Sequence, residues 1–537
     1  MAEIIKTFLP LLGVLVVVAV LARRLRIAPS ILLVIAGIIL ALIPGLPNVE
    51  LAPEVVLLVV LPPLIYSAGV AMSWREFKFN LRPITLLAFG CVVFTTCAIA
   101  AGTHYVLGLD WATGFVLGAI IAPPDVVAPL AIARRLGLPH RLVVVLEGEG
   151  LANDATALIL YRFAVIAVTT GAFSLPEAAG TFALIVIGEI IFGIGVGWLS
   201  LRLRRLAHDP RVEITLSLMT PYLAYWVPEH LGGSGVLATV ACGLYVSWRG
   251  PLLIRSATRL QGIFFWDLIV YLIEGMVFLV TGLQARGIIE NAHFFPLRDI
   301  VVAVLLTTAI AIVARFVWVF PATYLPRWLI PALRRRDPSP PWQQVFVLAT
   351  TGVRGIVSLA AALAIPFTTA AGAPFPNRDL ILFVTFGVII LTLVGLGSLL
   401  PAIVRALGLG NAAAEEQRRE RAAELAARRR LAELTSSRVD EFARDIGLAD
   451  EALRTIKSRY DSRLSLLPQS LEDGELAAQR TQLRFALLEE ERKLLHDLLR
   501  KGEITDEARR RIERDLDLEE QGFRTTAGGA DDGERPL

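Results

Sequence analysis

Apolar runs of roughly 20 residues, the length an α-helix needs to cross about 30 Å of hydrocarbon, recur along the chain as far as about position 406. Short stretches rich in Arg, Pro and Gly separate them. The pattern predicts thirteen spanning helices, near 4–22, 30–45, 53–72, 83–107, 111–133, 141–169, 177–204, 212–228, 233–248, 264–284, 299–320, 343–366 and 379–406. Loop charge checks the count. Alternate loops carry Arg23/Arg24/Arg26, Arg75/Lys78/Arg82, Arg134/Arg135/Arg141, Arg202/Arg204/Arg205/Arg211, Arg249/Arg255/Arg259 and Arg327/Arg334/Arg335/Arg336. The intervening loops hold only Arg286, Arg298 and Arg378. Basic loops stay in the cytoplasm, so the N-terminus is expected outside and the C-terminus inside, which requires an odd number of spans. In the first run the positive cluster follows the apolar stretch, and no small-residue cleavage site is evident, so it reads as a retained span and not a signal peptide.

The periodicity changes after Leu407. Stretches such as GNAAAEEQRRERAAELAARRRLAEL and LRFALLEEERKLLHDLLRKGEI place Leu and Ala at helical spacing among charges, which indicates amphipathic cytoplasmic helices. Two domains are expected: 1–408 in the membrane and 409–537 outside it, the latter disordered from about Thr525. Composition agrees, since 55% hydrophobic and 19% charged residues are too apolar for a soluble chain of 537 residues. The fold class is therefore an all-α polytopic membrane protein. A net charge of +3 adds little, because topology places the basic residues. The three cysteines, Cys91, Cys97 and Cys242, lie in apolar runs without CxxC spacing and read as buried small residues.

The membrane pattern is most disturbed between Ala122 and Arg162, where Asp125, Glu147, Glu149 and Asp154 interrupt two apolar segments. A charge at the bilayer centre costs at least ~2.5–3.5 kcal/mol, so such a cluster marks an ion site. Pro123, Pro124, Gly148 and Gly150 beside the acids predict an interrupted helix lining a cavity. A second interruption is expected at Thr350-Thr351-Gly352-Val353-Arg354-Gly355 in the twelfth span. If spans 1–6 and 8–13 are repeats about a linking seventh, each break falls on the fifth helix of its repeat, in the inverted arrangement of many secondary transporters.

Counting ~1.5 Å per residue from the loops puts Asp125, Asp154 and Arg354 near mid-membrane. Asp154 is the expected ion carrier. In a poorly hydrated cavity its charged form is disfavoured, and a proton or a small cation can neutralise it in competition. Asn153 beside it adds an amide but no titratable charge. Glu149 and Arg315 lie at matching depth, which makes them an expected ion pair. Arg354 is the rival partner, and depth favours Arg315. Asp125 and Arg354 are expected to offset the partial charges of half-helix ends, with a direct ligand role for Asp125 left open. Arg162 is expected to snorkel at the outer end of its helix. Glu189, Asp267 and Glu274 are further embedded acids, and Glu274 has no account. Gly232-Gly233-Ser234-Gly235 resembles a serine-protease GxSG. The only later histidines are His293 and His496, neither in a span, so a helix-packing or helix-start role is expected instead. No metalloprotease, P-loop or dinucleotide motif is present.

Five stretches, EGEGLANDATALILYRFAV, PPDVVAPLAIARRLGLPHR, GGSGVLATVACGLYVS, EGMVFLVTGLQ and GVRGIVSLAAALAIP, resemble the sodium/proton exchanger family of bacterial monovalent cation:proton antiporters. The resemblance covers about residues 5–410. It implies Asn153-Asp154 as the family motif, Asp154 as carrier of the transported Na⁺ and of H⁺, a buried Glu149–Arg315 pair, and Arg354 as the charge of the second crossed helix. It also implies an electroneutral, homodimeric exchanger of the cell membrane, with no enzyme activity, no cofactor and no nucleic-acid partner. Three positions depart from the family pattern. Gly150 stands for a serine one turn before the aspartate, Pro124-Asp125 for Thr-Asp, and Ser67 for an acid in the third helix. Ligation by Asp154, Ser67, backbone carbonyls and water is the resulting expectation. A K⁺/H⁺ antiporter and, in a different class, a cation channel are the rival readings.

Overall fold

The computed structural model describes residues 2–25, 27–44, 52–171, 174–291, 296–446, 451–458, 474–501 and 503–526. Arg26, His293 and the expected disorder beyond 526 lie outside the described residues. The chain divides into two compact units, Met1–Ala413 and Ala414–Leu537, against an expected boundary after 408.

The first unit is all helical, and among the described residues one isolated bridge, Thr368 to Pro374, is its only β pairing. Its main helices are α1 (Ala2–Leu25), α2 (Pro29–Ala41), α3 (Pro53–Ala71), α4 (Leu81–Leu107), α5 (Trp111–Ile121), α6 (Val127–Arg135), α7 (His140–Thr170) and α8 (Leu175–Ala207). They continue with α9 (Pro210–His230), α10 (Val236–Leu253), α11 (Ser256–Leu283), α12 (Leu297–Leu329), α13 (Trp342–Thr350), α14 (Ile356–Leu363) and α15 (Arg378–Ala406). Each apolar segment read from the sequence contains helix among the described residues. Nine helices among the described residues are long and apolar enough to cross a membrane, and α2 and α5 are shorter apolar ones. The fifth and twelfth segments are broken, at 122–126 and at 351–355. Gly148 and Gly150, expected as breakers, do not break α7, which runs through both. They make room instead, because a Cβ on either would lie 2.3 Å from Ile84 or Val126 side-chain carbons.

Close approach of backbones is the main packing device, as expected where lipid tails compete equally for apolar side chains. On α2, a Cβ at Gly37 would lie 2.2 Å from the Leu279 carbonyl oxygen of α11 and 2.8 Å from Gly282 Cα. Gly118 of α5 meets the Thr96 carbonyl of α4 in the same way, at 2.5 Å.

Among the described residues, three helices contain π-helical stretches, Val56–Val60, Leu86–Cys91 and Leu391–Leu396. Such turns loosen the regular ladder, and polar groups there reach neighbouring helices. Trp226 Nε1 donates to the Leu58 carbonyl at 2.8 Å, and Trp318 Nε1 donates to the Leu86 carbonyl at 2.8 Å. Thr392, in the third stretch, faces the broken twelfth segment. Cys91 and Cys242 are buried as expected, whereas Cys97 is exposed on the apolar flank of α4.

The second unit contains α17 (Gly474–Arg500) and α18 (Asp506–Thr526), joined through buried Leu488, Leu495 and Leu516. Arg492 bridges Asp517 and Glu520 at 2.7 Å each. The preceding α16 (Leu409–Ile446) carries Glu415–Arg419 and Glu424–Arg428 pairs at i,i+4 spacing, the expected pattern of a solvated helix.

The glycine contact gives a direct prediction. Gly37→Ala forces α2 away from α11 and costs about 1–3 kcal/mol, as overpacking does elsewhere. Gly13→Ala, with nothing within 4 Å of the added carbon, leaves stability unchanged or slightly raised. Thermal unfolding of the two detergent-purified variants checks the contrast.

Candidate ion site at the crossing of two broken helices

The two breaks touch. Asp125 N donates to the Val353 carbonyl at 2.7 Å, a backbone bond between segments more than two hundred residues apart in sequence. Gly355 permits this approach, because a Cβ there would lie 1.9 Å from Asp125 Oδ2. Asp125 Oδ1 accepts from the Val127 amide at 2.9 Å, at the start of α6. Its carboxylate thus sits at the positive end of α6 and against the residue that precedes α14, where a helix dipole favours an anion.

The opposite charge gathers at the C-terminal end of α13. Arg315 Nε and Nη2 donate to the Leu348 carbonyl at 3.3 and 3.0 Å, and Thr351 Oγ1 lies 3.4 Å from Nη2. Arg354 Nη1 donates to the Gly352 carbonyl at 2.9 Å, and its amide donates to Thr392 Oγ1 at 3.0 Å. The last carbonyls of a helix lack intrahelical partners, and the Arg315 guanidinium meets that of Leu348, while Arg354 meets the Gly352 carbonyl within the break.

Arg315 also forms a bidentate pair with Glu149 of α7, Nη1 to Oε1 at 2.5 Å and Nη2 to Oε2 at 2.9 Å. Their side chains are 2% and 0% exposed. A planar fork matched to a carboxylate is the geometry that offsets the desolvation of both charges. The rivalry left open by the sequence is thereby decided: Arg315 takes Glu149, and Arg354 stays within its own break.

One helical turn further along α7, Asn153 is fully buried and its Nδ2 donates to the Pro124 carbonyl at 2.7 Å. A carbonyl can only accept, so this bond fixes the amide orientation and leaves Oδ1 as a buried acceptor with no partner. Asp154 beside it is half-buried. Among the described residues it has neither an ion pair nor a hydrogen bond, although the other two acids of α7, Glu147 and Glu149, pair with Arg134 and Arg315. Asp154 therefore stands by the crossing with its charge uncompensated. No hydrogen bond joins Ser67 to it among the described residues, and the Ser67 hydroxyl donates to the Leu64 carbonyl of its own helix at 3.2 Å.

Two expectations at the other end of α7 change. Arg162 does not snorkel. Its Nη1 donates to the Gly233 carbonyl at 2.5 Å and its Nη2 pairs with Glu229. Glu189, left without a role, accepts from the amides of Ser234, Gly235 and Leu237 at 2.5, 3.1 and 3.1 Å and so caps α10. The GGSG stretch is thus a helix start, with Gly235 at φ 67° as the residue that precedes α10. Sequence reasoning placed Thr351 in the second break without giving it a partner, and it missed Thr392 and the particular carbonyls, those of Pro124, Leu348 and Val353. Backbone groups carry no sequence signal, and threonines are common in apolar helices.

Comparison with known proteins places the chain in a family. The family model described as "Sodium/hydrogen exchanger, transmembrane" matches residues 11–406. The chain belongs to the sodium/hydrogen exchanger family. An uncharacterized Na(+)/H(+) exchanger of Mycobacterium tuberculosis (strain ATCC 25618 / H37Rv) is 35% identical over 520 residues, covering 95% of this chain and 94% of its own. The Na(+)/H(+) antiporter ApNhaP of Aphanothece halophytica is 31% identical over 475 residues, covering 86% and 85%. The sodium, potassium, lithium and rubidium/H(+) antiporter of Bacillus pumilus (strain SAFR-032) is 35% identical over 381 residues, 68% of this chain and 56% of its own. The solved sodium proton antiporter MjNhaP1 from Methanocaldococcus jannaschii shares the fold, with a TM-score of 0.60 at 20% identity over 76% of this chain and all of that one. In this family member the crossing joins the segments that the fold interrupts, and the ion pair ties α7 to α12.

Breaking that pair leaves one buried charge alone. Arg315→Gln is expected to lower stability by about 3–5 kcal/mol, seen as a large drop in the detergent melting temperature. Arg134→Gln, which removes the largely exposed partner of Glu147, changes it by about 1 kcal/mol or less.

Proposed function

We propose that this chain is a secondary transporter that exchanges a monovalent cation, Na⁺ first, for H⁺ across the plasma membrane. Asp154 takes either ion, never both, and alternating access delivers it to the two sides in turn. The observation that carries the reading is this half-buried carboxylate with neither an ion pair nor a hydrogen bond among the described residues, beside the crossing of the two broken helices. A proton neutralises it by forming a carboxylic acid. A partly dehydrated cation neutralises it with help from oxygen ligands, for which the unpartnered Asn153 Oδ1, Asp125 and backbone carbonyls of the breaks are the nearest in kind. Ser67 enters only through a rotation of its hydroxyl away from Leu64 or through a bridging water.

One carrier acid beside an asparagine fits the electroneutral exchange of one cation for one proton. The moving part is α4–α7 with α12–α15, rocking against the remaining helices, which hold the dimer contact between two copies. Thirteen spans in two inverted repeats, with the N-terminus outside and the cytoplasmic helical domain following α15, complete the topology. No covalent reaction and no cofactor enters this cycle. The K⁺/H⁺ reading stays second, favoured by the Bacillus relative, whose name includes potassium and rubidium.

Asp154→Asn is expected to reduce Na⁺-driven proton movement in proteoliposomes to background while leaving the melting temperature near that of the parent protein. Exchange that persists in this variant assigns the carrier elsewhere, and steady cation conductance without proton coupling assigns a channel. In the parent protein, competition for one carboxylate makes the apparent Na⁺ affinity fall as pH falls. Running the assay with Na⁺, Li⁺, K⁺ and Rb⁺, with and without a clamped voltage, fixes selectivity and stoichiometry.

A further inference from the structure

At the basic end of the helical bundle, three guanidinium groups converge on one carboxylate. Arg82, at the start of α4, donates from Nη2 to Asp337 Oδ2 at 2.9 Å. Arg141, at the start of α7, donates to Oδ1 at 2.6 Å, and Arg327, near the end of α12, donates to Oδ2 at 2.8 Å. Arg327 Nε also donates to the Asp337 carbonyl at 3.1 Å, and Arg141 Nε donates to Asn80 Oδ1 at 3.2 Å. One negative charge thus faces three positive ones, and Arg82 Nη1 is buried with no hydrogen-bond partner. A purely structural clamp needs no such surplus, since buried guanidinium donors are costly when unmet.

These three arginines line one cavity of about 60 Å³, whose other walls include Pro83, Leu86 and Val345. The space suits a compact tetrahedral anion. A second hollow shares Arg327 and is walled by Phe320, Leu325 and Trp328. Trp328 is 77% exposed beside exposed Leu329 and Ile330, which is how an aromatic residue is presented at a membrane interface. A charged cavity beside an apolar groove, between helix ends on a basic membrane face, matches the chemistry of a phospholipid: phosphate in one, acyl chain along the other.

We propose that the Arg82–Arg141–Arg327 cavity binds a phosphate group, from an anionic phospholipid or from free inorganic phosphate. It would brace the ends of α4, α7 and α12 together with α13, whose Val345 and Leu348 line the same cavity and whose Leu348 carbonyl accepts from Arg315. Occupancy is therefore linked mechanically to the helices that hold the Glu149–Arg315 pair. The proposal does not depend on which ion is transported.

The test uses full-length protein in micelles containing phosphatidylcholine, with the melting temperature followed as phosphatidylglycerol or inorganic phosphate is titrated. A saturable rise is expected. Arg82→Gln should weaken the apparent affinity by about tenfold or more, the loss of one charged hydrogen bond. Arg335→Gln, an exposed arginine at the same end, should change it by less than about twofold, as a screened surface charge does. Asp337→Asn removes the competing carboxylate and should tighten binding. A response to phosphatidylglycerol alone names a lipid as the source, and a response to inorganic phosphate alone names the free anion. Either upholds the site. No saturable response, equal weakening by Arg335→Gln, or no tightening in Asp337→Asn overturns it. If one of Arg82→Gln and Asp337→Asn fails to fold, the other decides.

Discussion

A charge at the middle of a bilayer must be met at once by another charge, by a dipole, or by an ion that comes and goes. Nearly everything in the membrane unit follows from how its embedded charges satisfy that demand. Glu149 and Arg315 meet each other through two parallel hydrogen bonds with almost no exposure, and Arg315 reaches past its partner to the Leu348 carbonyl at the end of α13. Asp125 is met by the Val127 amide, in the space that Gly355 leaves open. Glu189 is met by three amides at the start of α10. Asp154 alone among the acids of α7 has neither an ion pair nor a hydrogen bond among the described residues.

That division of labour explains why the helices break where they do. An unbroken helix hides its backbone groups, so it has no spare carbonyls or amides to offer in hydrocarbon. Interrupting two helices at the same point exposes both kinds. The carbonyl end of α13 then draws the Arg315 guanidinium, and the amide end of α6 draws the Asp125 carboxylate. The crossing is assembled from groups that the breaks release, with side chains tuning the remainder. The π-helical stretches serve a lesser version of the same purpose, since they offer the Leu58 and Leu86 carbonyls to tryptophans of neighbouring helices.

Glycines make the arrangement geometrically possible. Gly355 lets Asp125 approach, Gly148 and Gly150 let Ile84 and Val126 close on α7, and Gly37 lets α2 touch α11 backbone to backbone. Small residues therefore act here through space and not through flexibility. Membrane helices gain little by burying larger apolar side chains against one another, and close backbone approach is their substitute.

The amino-acid order alone determined the membrane class, the helical segments, both breaks and the embedded acids. Hydropathy, glycine-proline clusters and misplaced charges are local signals that survive without a fold. Depth counting brought Arg315 level with Glu149, because helical rise is nearly constant, but it left Arg354 in contention. Only the tertiary structure decided that contest, since it depends on which helix faces which. It likewise gave Glu189 its three amides and Arg162 its partner Glu229, and turned Gly148 and Gly150 from expected breaks into packing sites. Those outcomes rest on contacts between residues far apart in the chain, and on backbone atoms that every residue shares.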